Sequence, residues 1–321
     1  MIAVKALRKE FFVAETLPGP FGAVRSLLSR KGRTVTAVEE INFQISPGEF
    51  VGYIGPNGAG KSTTIKMLTG ILHPTSGSVQ VLGHSPQQER QQVVRQIGVV
   101  FGQRSQLWWD LPLIESFELL AAMYQVPRQN YHRMLNSCND LLQLGQFWDT
   151  PVRKLSLGQR MRGEIAAALL HQPQILFLDE PTIGLDVVAK QAIRTFLQQI
   201  NRQGVTVLLT THDLRDIERL CQRVMVINHG RILLDGTIDQ LLTQIGVESV
   251  MIVDFARPLP LMEPMQNGIK LQWVSATRAV VHFDRSRHTA NGLLQRLSEL
   301  GEIRDLRITE PDIESAVARL F

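Results

Sequence analysis

The chain has 321 residues, 44% hydrophobic and 20% charged, with a net charge of +4. These are ordinary values for a globular protein, with length enough for one large domain and one small one. Residues 1–33 carry seven Lys/Arg against two Glu, so the whole basic excess lies at the start, which speaks for a local patch and against a general nucleic-acid surface. No apolar run approaches the roughly 18 residues of a membrane span, and the first ten residues lack a signal-peptide apolar core. Cys138 and Cys221 are far apart without metal spacing and read as free thiols of a reducing compartment.

Ile2–Phe12 reads as a first strand, Val35–Ile45 as its partner, and Pro47-Gly48 as a turn. Between the two strands lies an insert, residues 13–33. In it Phe21, Val24, Leu27 and Leu28 follow helical spacing among Arg25, Arg30, Lys31 and Arg33. It reads either as a surface helix packed on the domain or as a basic amphipathic piece on lipid headgroups or a membrane partner. The apolar run Phe50–Ile54 then delivers Gly55-Pro56-Asn57-Gly58-Ala59-Gly60-Lys61-Ser62-Thr63, which fits the G-x-x-x-x-G-K-[ST] phosphate loop. Its glycines free backbone N–H groups to turn on an anion, and the helix marked by Thr64, Ile65, Met67 and Leu68 adds the positive end of its dipole. Lys61 is expected to reach the β- and γ-phosphates and the Ser62 hydroxyl to sit on Mg²⁺.

Ser78–Leu82 and Ile97–Phe101 are further strands, the second ending at Gly102-Gln103. Gln103, at a strand end, is either a site residue or a plain loop residue. From Pro112 to Leu144 the spacing turns helical. Leu155-Ser156-Leu157-Gly158-Gln159 then precedes a helix expected over Arg162–Leu170, so Ser156 and Gly158 form a second anion-binding device at a helix N-terminus. Ile175–Leu178 reads as a strand buried on both faces. It delivers Asp179-Glu180 at its carboxyl end, where open α/β sheets bind ligands. The bland reading of that pair is a helix cap plus a solvated acid. Beside a phosphate loop the heavier reading is a Mg²⁺-side Asp and a water-polarising Glu. Val205–Leu209 is a further strand, and His212 beyond it faces the same crevice, which favours a γ-phosphate contact. Arg223–Asn228 and Arg231–Leu234 form a hairpin, and Thr237–Ile245 a closing helix. After Val247 come strands at Val250–Val253, Lys270–Val274, Ala279–Phe283 and Ile303–Ile308, with helices at Leu293–Leu300 and Pro311–Leu320. This is a small α+β domain without a catalytic constellation.

The ordered set resembles the ATP-binding subunit of ABC transporters over about residues 1–245. The set is the phosphate loop, Gln103, Leu155–Gln159, Leu178-Asp179-Glu180-Pro181, Gly184-Leu185-Asp186 and His212. The resemblance implies a P-loop NTPase core of α/β class: a mostly parallel sheet with helices, an antiparallel β subdomain, a helical signature subdomain over about 103–172, and a small α+β domain over 246–321. It implies two subunits, identical or not, sandwiching two ATP molecules head to tail. Residues 55–63 bind the phosphates; Ser62, Gln103 and Asp179 hold Mg²⁺; Lys61, Glu180, His212 and Gln103 serve hydrolysis. Ser156, Gly158 and Gln159 complete the opposite subunit's site, and Asp186 speaks across the dimer. Phe11, with Phe12 as the alternative, stands where the family stacks adenine on an aromatic that is usually Tyr, and Leu157 stands where it usually has Gly. The insert, the stretch Gly98–Pro112 and the C-terminal domain look like the efflux branch of daunorubicin-resistance and sodium-extrusion ATPases. That branch implies a separate membrane permease and a place on the cytoplasmic face of the membrane. Trp108 and Trp109 are either core residues or the rim of a groove for that permease. A rival reading, an ABC-type ATPase acting on nucleic acid or ribosomes, lacks its usual coiled-coil insertions or second cassette here, and the mild charge does not suit it. A small-molecule kinase leaves the second glycine loop unexplained.

Overall fold

Alternating apolar residues at the start of the chain make a long antiparallel pair, β1 (Ile2–Ala14) with β2 (Gly32–Ile45), paired from Ile2↔Ile45 to Ala14↔Gly32 with register shifts between Val4 and Glu10. The computed structural model describes residues 1–14, 32–102, 104–245, 248–259, 269–284, 287–309, 317 and 320. The expected insert helix, Gln103 and the expected last helix lie outside the described residues. On the far side of β1 runs β4 (Ser76–Val81), so the order of this sheet is β2-β1-β4.

The second sheet is built from short strands with nearly continuous apolar sequence. β3 (Phe50–Ile54), β5 (Ile97–Phe101), β6 (Ile175–Asp179), β7 (Thr206–Thr210) and β8 (Arg223–Asn228) pair in parallel in the order β5-β6-β7-β3-β8, with β9 (Arg231–Gly236) beside β8. Every residue of β3 and β7 is buried, as parallel strands covered on both faces require. Helix α1 (Lys61–Leu68) packs Ile65, Met67 and Leu68 into a core shared with Leu7, Phe43, Tyr53 and Phe177 from both sheets.

Among the described residues a five-residue helix, α2 (Arg90–Val94), precedes β5. The helical stretch after β5 divides into α3 (Leu113–Met123) and α4 (Arg128–Leu142), because the chain turns at Gln125 with φ +55° and Pro127 cannot continue a helix. The next helix, α5 (Leu157–Leu169), starts five residues earlier than the spacing predicts. The reason is a capping box: Gln159 N donates to Ser156 Oγ at 3.2 Å and Ser156 N to Gln159 Oε1 at 2.8 Å. Backbone of α5 lies directly on β5, where a Cβ on Gly98 would fall 2.3 Å from the Ala168 carbonyl oxygen. Helices α6 (Val187–Arg202) and α7 (Leu214–Leu220) follow β6 and β7.

The chain forms two compact units, Met1–Asp235 and Gly236–Phe321. The division falls ten residues before the expected one, so the helix α8 (Ile238–Ile245) belongs to the second unit. The break lies at Gly236-Thr237, where Thr237 and Gln240 exchange backbone-to-side-chain bonds of 2.9 and 3.2 Å and open α8. In the second unit β10 (Ser249–Phe255) lies between β12 (Arg278–Phe283) and β13 (Ile303–Thr309), with β11 (Lys270–Ser275) beyond β12, all antiparallel. Alternate residues Met251, Val253 and Phe255 meet Val281, Phe283 and the Leu293 and Leu297 side chains of α9 (Ala290–Leu300) in a separate core. Phe283→Ala is expected to cost roughly 3–5 kcal/mol within the second unit's own unfolding transition; calorimetry of the full chain checks that the transition of the first unit stays in place.

Candidate nucleotide-binding site

The strands β6, β7 and β3 are neighbours, so their carboxyl ends bring three motifs together. The phosphate loop follows β3 and ends at Gly60, whose φ of +109° opens α1. Lys61 is 6% exposed. Its Nζ donates to the carbonyls of Gly55 at 2.7 Å and Pro56 at 3.1 Å. Burial pushes the Lys61 pKa down, while the Glu180 and Asp179 carboxylates pull it back up. Among the described residues the N–H groups of Gly58, Gly60, Lys61, Ser62 and Thr63 find no backbone acceptor. Five donors and a buried ammonium around one loop fit a chain of phosphates.

Asp179 closes β6 and accepts a hydrogen bond from Thr210 Oγ1 at 2.5 Å. Glu180 has a left-handed φ of +55°, and its N–H donates to the Thr210 carbonyl at 2.9 Å. Its Oε2 lies 3.6 Å from His212 Nδ1. Ser62, Asp179 and Glu180 share a cavity of about 360 Å³ with Asn57 and Gly102, and a smaller one of about 150 Å³ joins Glu180 to Gly58–Thr63. The structure thus gathers the phosphate loop, Asp179, Glu180 and His212. Ser156, Gly158, Gln159 and Asp186 line neither cavity. Asp186 instead caps α6, accepting from Ala189 N at 2.8 Å. Leu157 reaches over the loop before it: a Cβ on Gly184 would stand 2.9 Å from Leu157 Cδ2. Phe11 is part-exposed on β1 with Lys9 Nζ 5.1 Å from its ring centre.

Three groups behind the site carry no mark in the sequence. Thr210 holds Asp179, as above. Asp216 of α7, wholly buried, accepts from Thr182 Oγ1 at 2.6 Å and is paired through its other oxygen with Arg194 of α6. Lys190 of α6 donates to Asp213 at 2.6 Å. Trp108 and Trp109 are both exposed, so neither is a core residue. Trp108 lines an open groove of about 800 Å³ with Arg90, Arg95, Met123 and Tyr124.

A glycine-lined loop opening a helix, beside a strand that ends in paired acids, defines a P-loop nucleoside triphosphatase. Residues 38–183 match the family model described as ABC transporter. The chain is 34% identical to the Nod factor export ATP-binding protein I of Ralstonia nicotianae over 72% of this chain and 72% of that protein. It is 29% identical to the daunorubicin resistance ATP-binding protein DrrA3 of Streptomyces coeruleorubidus, over 88% of this chain and 90% of that one. It is also similar to a dimeric ATP-binding cassette in a post-hydrolysis state bound to ADP and Pi, with TM-score 0.63 and 26% identity, covering 74% of this chain and 99% of that one. The chain belongs to the ABC transporter family. It is an ATP-binding subunit of the efflux type, and it hydrolyses ATP.

Placing a Cβ on Gly60 would bring it 2.5 Å from the Ala37 carbonyl oxygen, whereas at Gly58, φ +82°, it meets nothing within 4 Å. Gly60→Ala is therefore expected to cost roughly 1–3 kcal/mol from overpacking on top of its backbone strain, and Gly58→Ala about 1 kcal/mol from strain alone. Urea unfolding of the two variants side by side checks the order.

Proposed function

We propose that two such subunits, identical or similar, close head to tail on two ATP molecules, and that closing and reopening drive export through a separate permease at the cytoplasmic face of the membrane. One observation carries this reading. Ser156, Gly158 and Gln159 form a helix N-terminus suited to phosphate, yet they line neither cavity over the chain's own phosphate loop. A second subunit supplies the phosphate they meet. The surface around them supports this, because Leu157, Ile183, Val187 and Val188 are exposed apolar side chains there.

In each site Gly55–Thr63 cradle the β- and γ-phosphates with the Lys61 ammonium among them, and Phe11 stacks on adenine. Glu180 polarises the attacking water and His212 touches the γ-phosphate. Catalysis here is positioning plus charge stabilisation. Mg²⁺ fits the donor set. Ser62, Asp179 and Glu180 bring hard oxygens to one cavity, and among the described residues no three His, Cys, Asp or Glu are placed to hold a metal ion by themselves. Such a partial shell suits an ion that keeps waters and takes phosphate oxygens. Ser62 and Asp179 hold the ion, with Gln103 assigned by resemblance; when bound it neutralises charge on the phosphates. Asp186 reads the partner subunit.

Among the described residues no helix is long and apolar enough to cross a membrane. The groove of Arg90, Arg95, Trp108, Met123 and Tyr124 supports docking of a permease segment, since it joins exposed aromatic surface to two guanidinium groups.

Glu180→Gln is expected to keep ATP binding while turnover falls by about 10²- to 10⁴-fold, and to accumulate an ATP-bound dimer on gel filtration. Hydrolysis at the wild-type rate removes Glu180 from its role. Ser156→Arg is expected to stop hydrolysis and leave ATP binding by the monomer unchanged, as read by nucleotide titration at low protein concentration. Unchanged turnover counts against the head-to-tail sandwich.

A further inference from the structure

The left-handed backbone of Glu180, φ +55°, is sparsely populated by residues with a Cβ and persists only where its surroundings hold it. On the amino side the support is the sheet, through the 2.9 Å bond from Glu180 N to the Thr210 carbonyl. On the carboxyl side the chain has left the sheet. The support there is a long 3.4 Å bond from Ile183 N to the Glu180 carbonyl and, anchoring that turn, Thr182, two residues on and buried, whose hydroxyl donates to Asp216 Oδ2 at 2.6 Å. The same Oδ2 stands 3.5 Å from the hydroxyl of Thr211, the residue before His212. That hydroxyl also accepts from Asp213 N at 2.9 Å, which bends the chain around His212. Asp216 Oδ1 is held by the guanidinium of Arg194, so the carboxylate is itself fixed to α6.

We propose that Asp216 is a positioning residue for hydrolysis. Through Thr182 it keeps Glu180 left-handed, and through Thr211 it braces the turn that carries His212. Together these set the 3.6 Å separation of the two side chains. Since α6 is capped by Asp186 and clamps the same carboxylate, the loop facing the second subunit and the water-polarising acid share one buried anchor. Closure of the dimer thereby registers at Glu180. This rests on the reading of Glu180 given above.

Thr182→Val is the decisive variant, because it removes the hydroxyl but leaves Asp216 paired with Arg194; Asp216→Ala strands a buried guanidinium and disturbs the fold. In the full chain, Thr182→Val is expected to lower kcat roughly tenfold to a hundredfold with KM for ATP changed less than about twofold. Its melting temperature stays near that of the wild type, and Thr182→Ser restores kcat. In single-turnover hydrolysis, adding Thr182→Val to Glu180→Gln lowers the residual rate no further, since both changes act through one group. An additive loss in that double variant, or an equal loss in Thr182→Ser, overturns the proposal. Wild-type kcat in Thr182→Val beside an inactive Glu180→Gln overturns the anchor alone. Wild-type turnover in Glu180→Gln overturns the role of Glu180, and the anchor with it.

Discussion

One row of paired residues crosses the parallel sheet and decides where the site stands. Phe101 lies opposite Asp179, Asp179 opposite Thr210, and Thr210 opposite Tyr53. Just past this row each strand releases its motif: Gly102 after β5, Glu180 after β6, Thr211-His212 after β7 and the phosphate loop after β3. The motifs are scattered over more than a hundred residues of sequence and meet because the register is fixed. A slip of one residue in β6 turns Asp179 away and moves every apolar side chain of that strand to the wrong face. Burial on both faces makes such a slip costly, so the sheet that forms the core also aligns the chemistry.

Charge is the second constraint. Asp179 and Glu180 are adjacent on the wall of a cavity whose other side is the phosphate loop. A triphosphate entering there meets two carboxylates, and the Lys61 ammonium alone does not balance them. Lys61 is meanwhile bonded to two carbonyls of its own loop. Those bonds keep a desolvated ammonium satisfied. They also hold it on a loop whose Gly58, Gly60, Lys61, Ser62 and Thr63 N–H groups have, among the described residues, no backbone acceptor, so the loop is arranged for anions before any arrives. A divalent cation beside Ser62 and Asp179 supplies the missing positive charge on the proposed reading, which is why the acids and the triphosphate are compatible.

Much of this was legible in the chain. The parallel strands are short unbroken apolar runs, the phosphate loop has a nearly unique string, and His229-Gly230 marks a hairpin turn. Other features were hidden for physical reasons. The start of α5 is obscured by Gly158, which reads as loop, although Ser156 and Gln159 already cap a helix. Helix α2 is too short to show a period. The Thr182–Asp216–Arg194 cluster joins residues as much as 34 positions apart through buried polar contacts, and no spacing rule announces such a pairing. The second unit begins at Gly236 because Thr237 and Gln240 start a helix there; the apolar stretch of that helix masks the break. The Trp108-Trp109 pair looks the same in sequence whether buried or exposed, and exposure decides it.

On the proposed reading, the start of α5 is a half-site that is stable by itself and still available. Two N–H groups at its start are satisfied in cis, since Ser156 Oγ takes Gln159 N and Gln159 Oε1 takes Ser156 N, whereas among the described residues those of Leu157 and Gly158 find no backbone acceptor. On the proposed reading, a phosphate from a second subunit meets the N–H groups of Leu157 and Gly158 and competes with the chain's own acceptor only for that of Gln159. For the Gln159 N–H, exchange of one acceptor for another has a small net free energy, because that donor is bonded before and after. A charged acceptor at a helix N-terminus is still the stronger one. On the proposed reading, that difference favours closure while the triphosphate is intact and weakens once the γ-phosphate leaves. Leu157 sharpens this. Its side chain rests on Gly184, in the loop that runs from Glu180 to Asp186, so on the proposed reading the half-site for the partner touches the loop behind the water-polarising acid. A glycine at position 157 has no side chain to make this contact, whereas the leucine ties the start of α5 to that loop by packing.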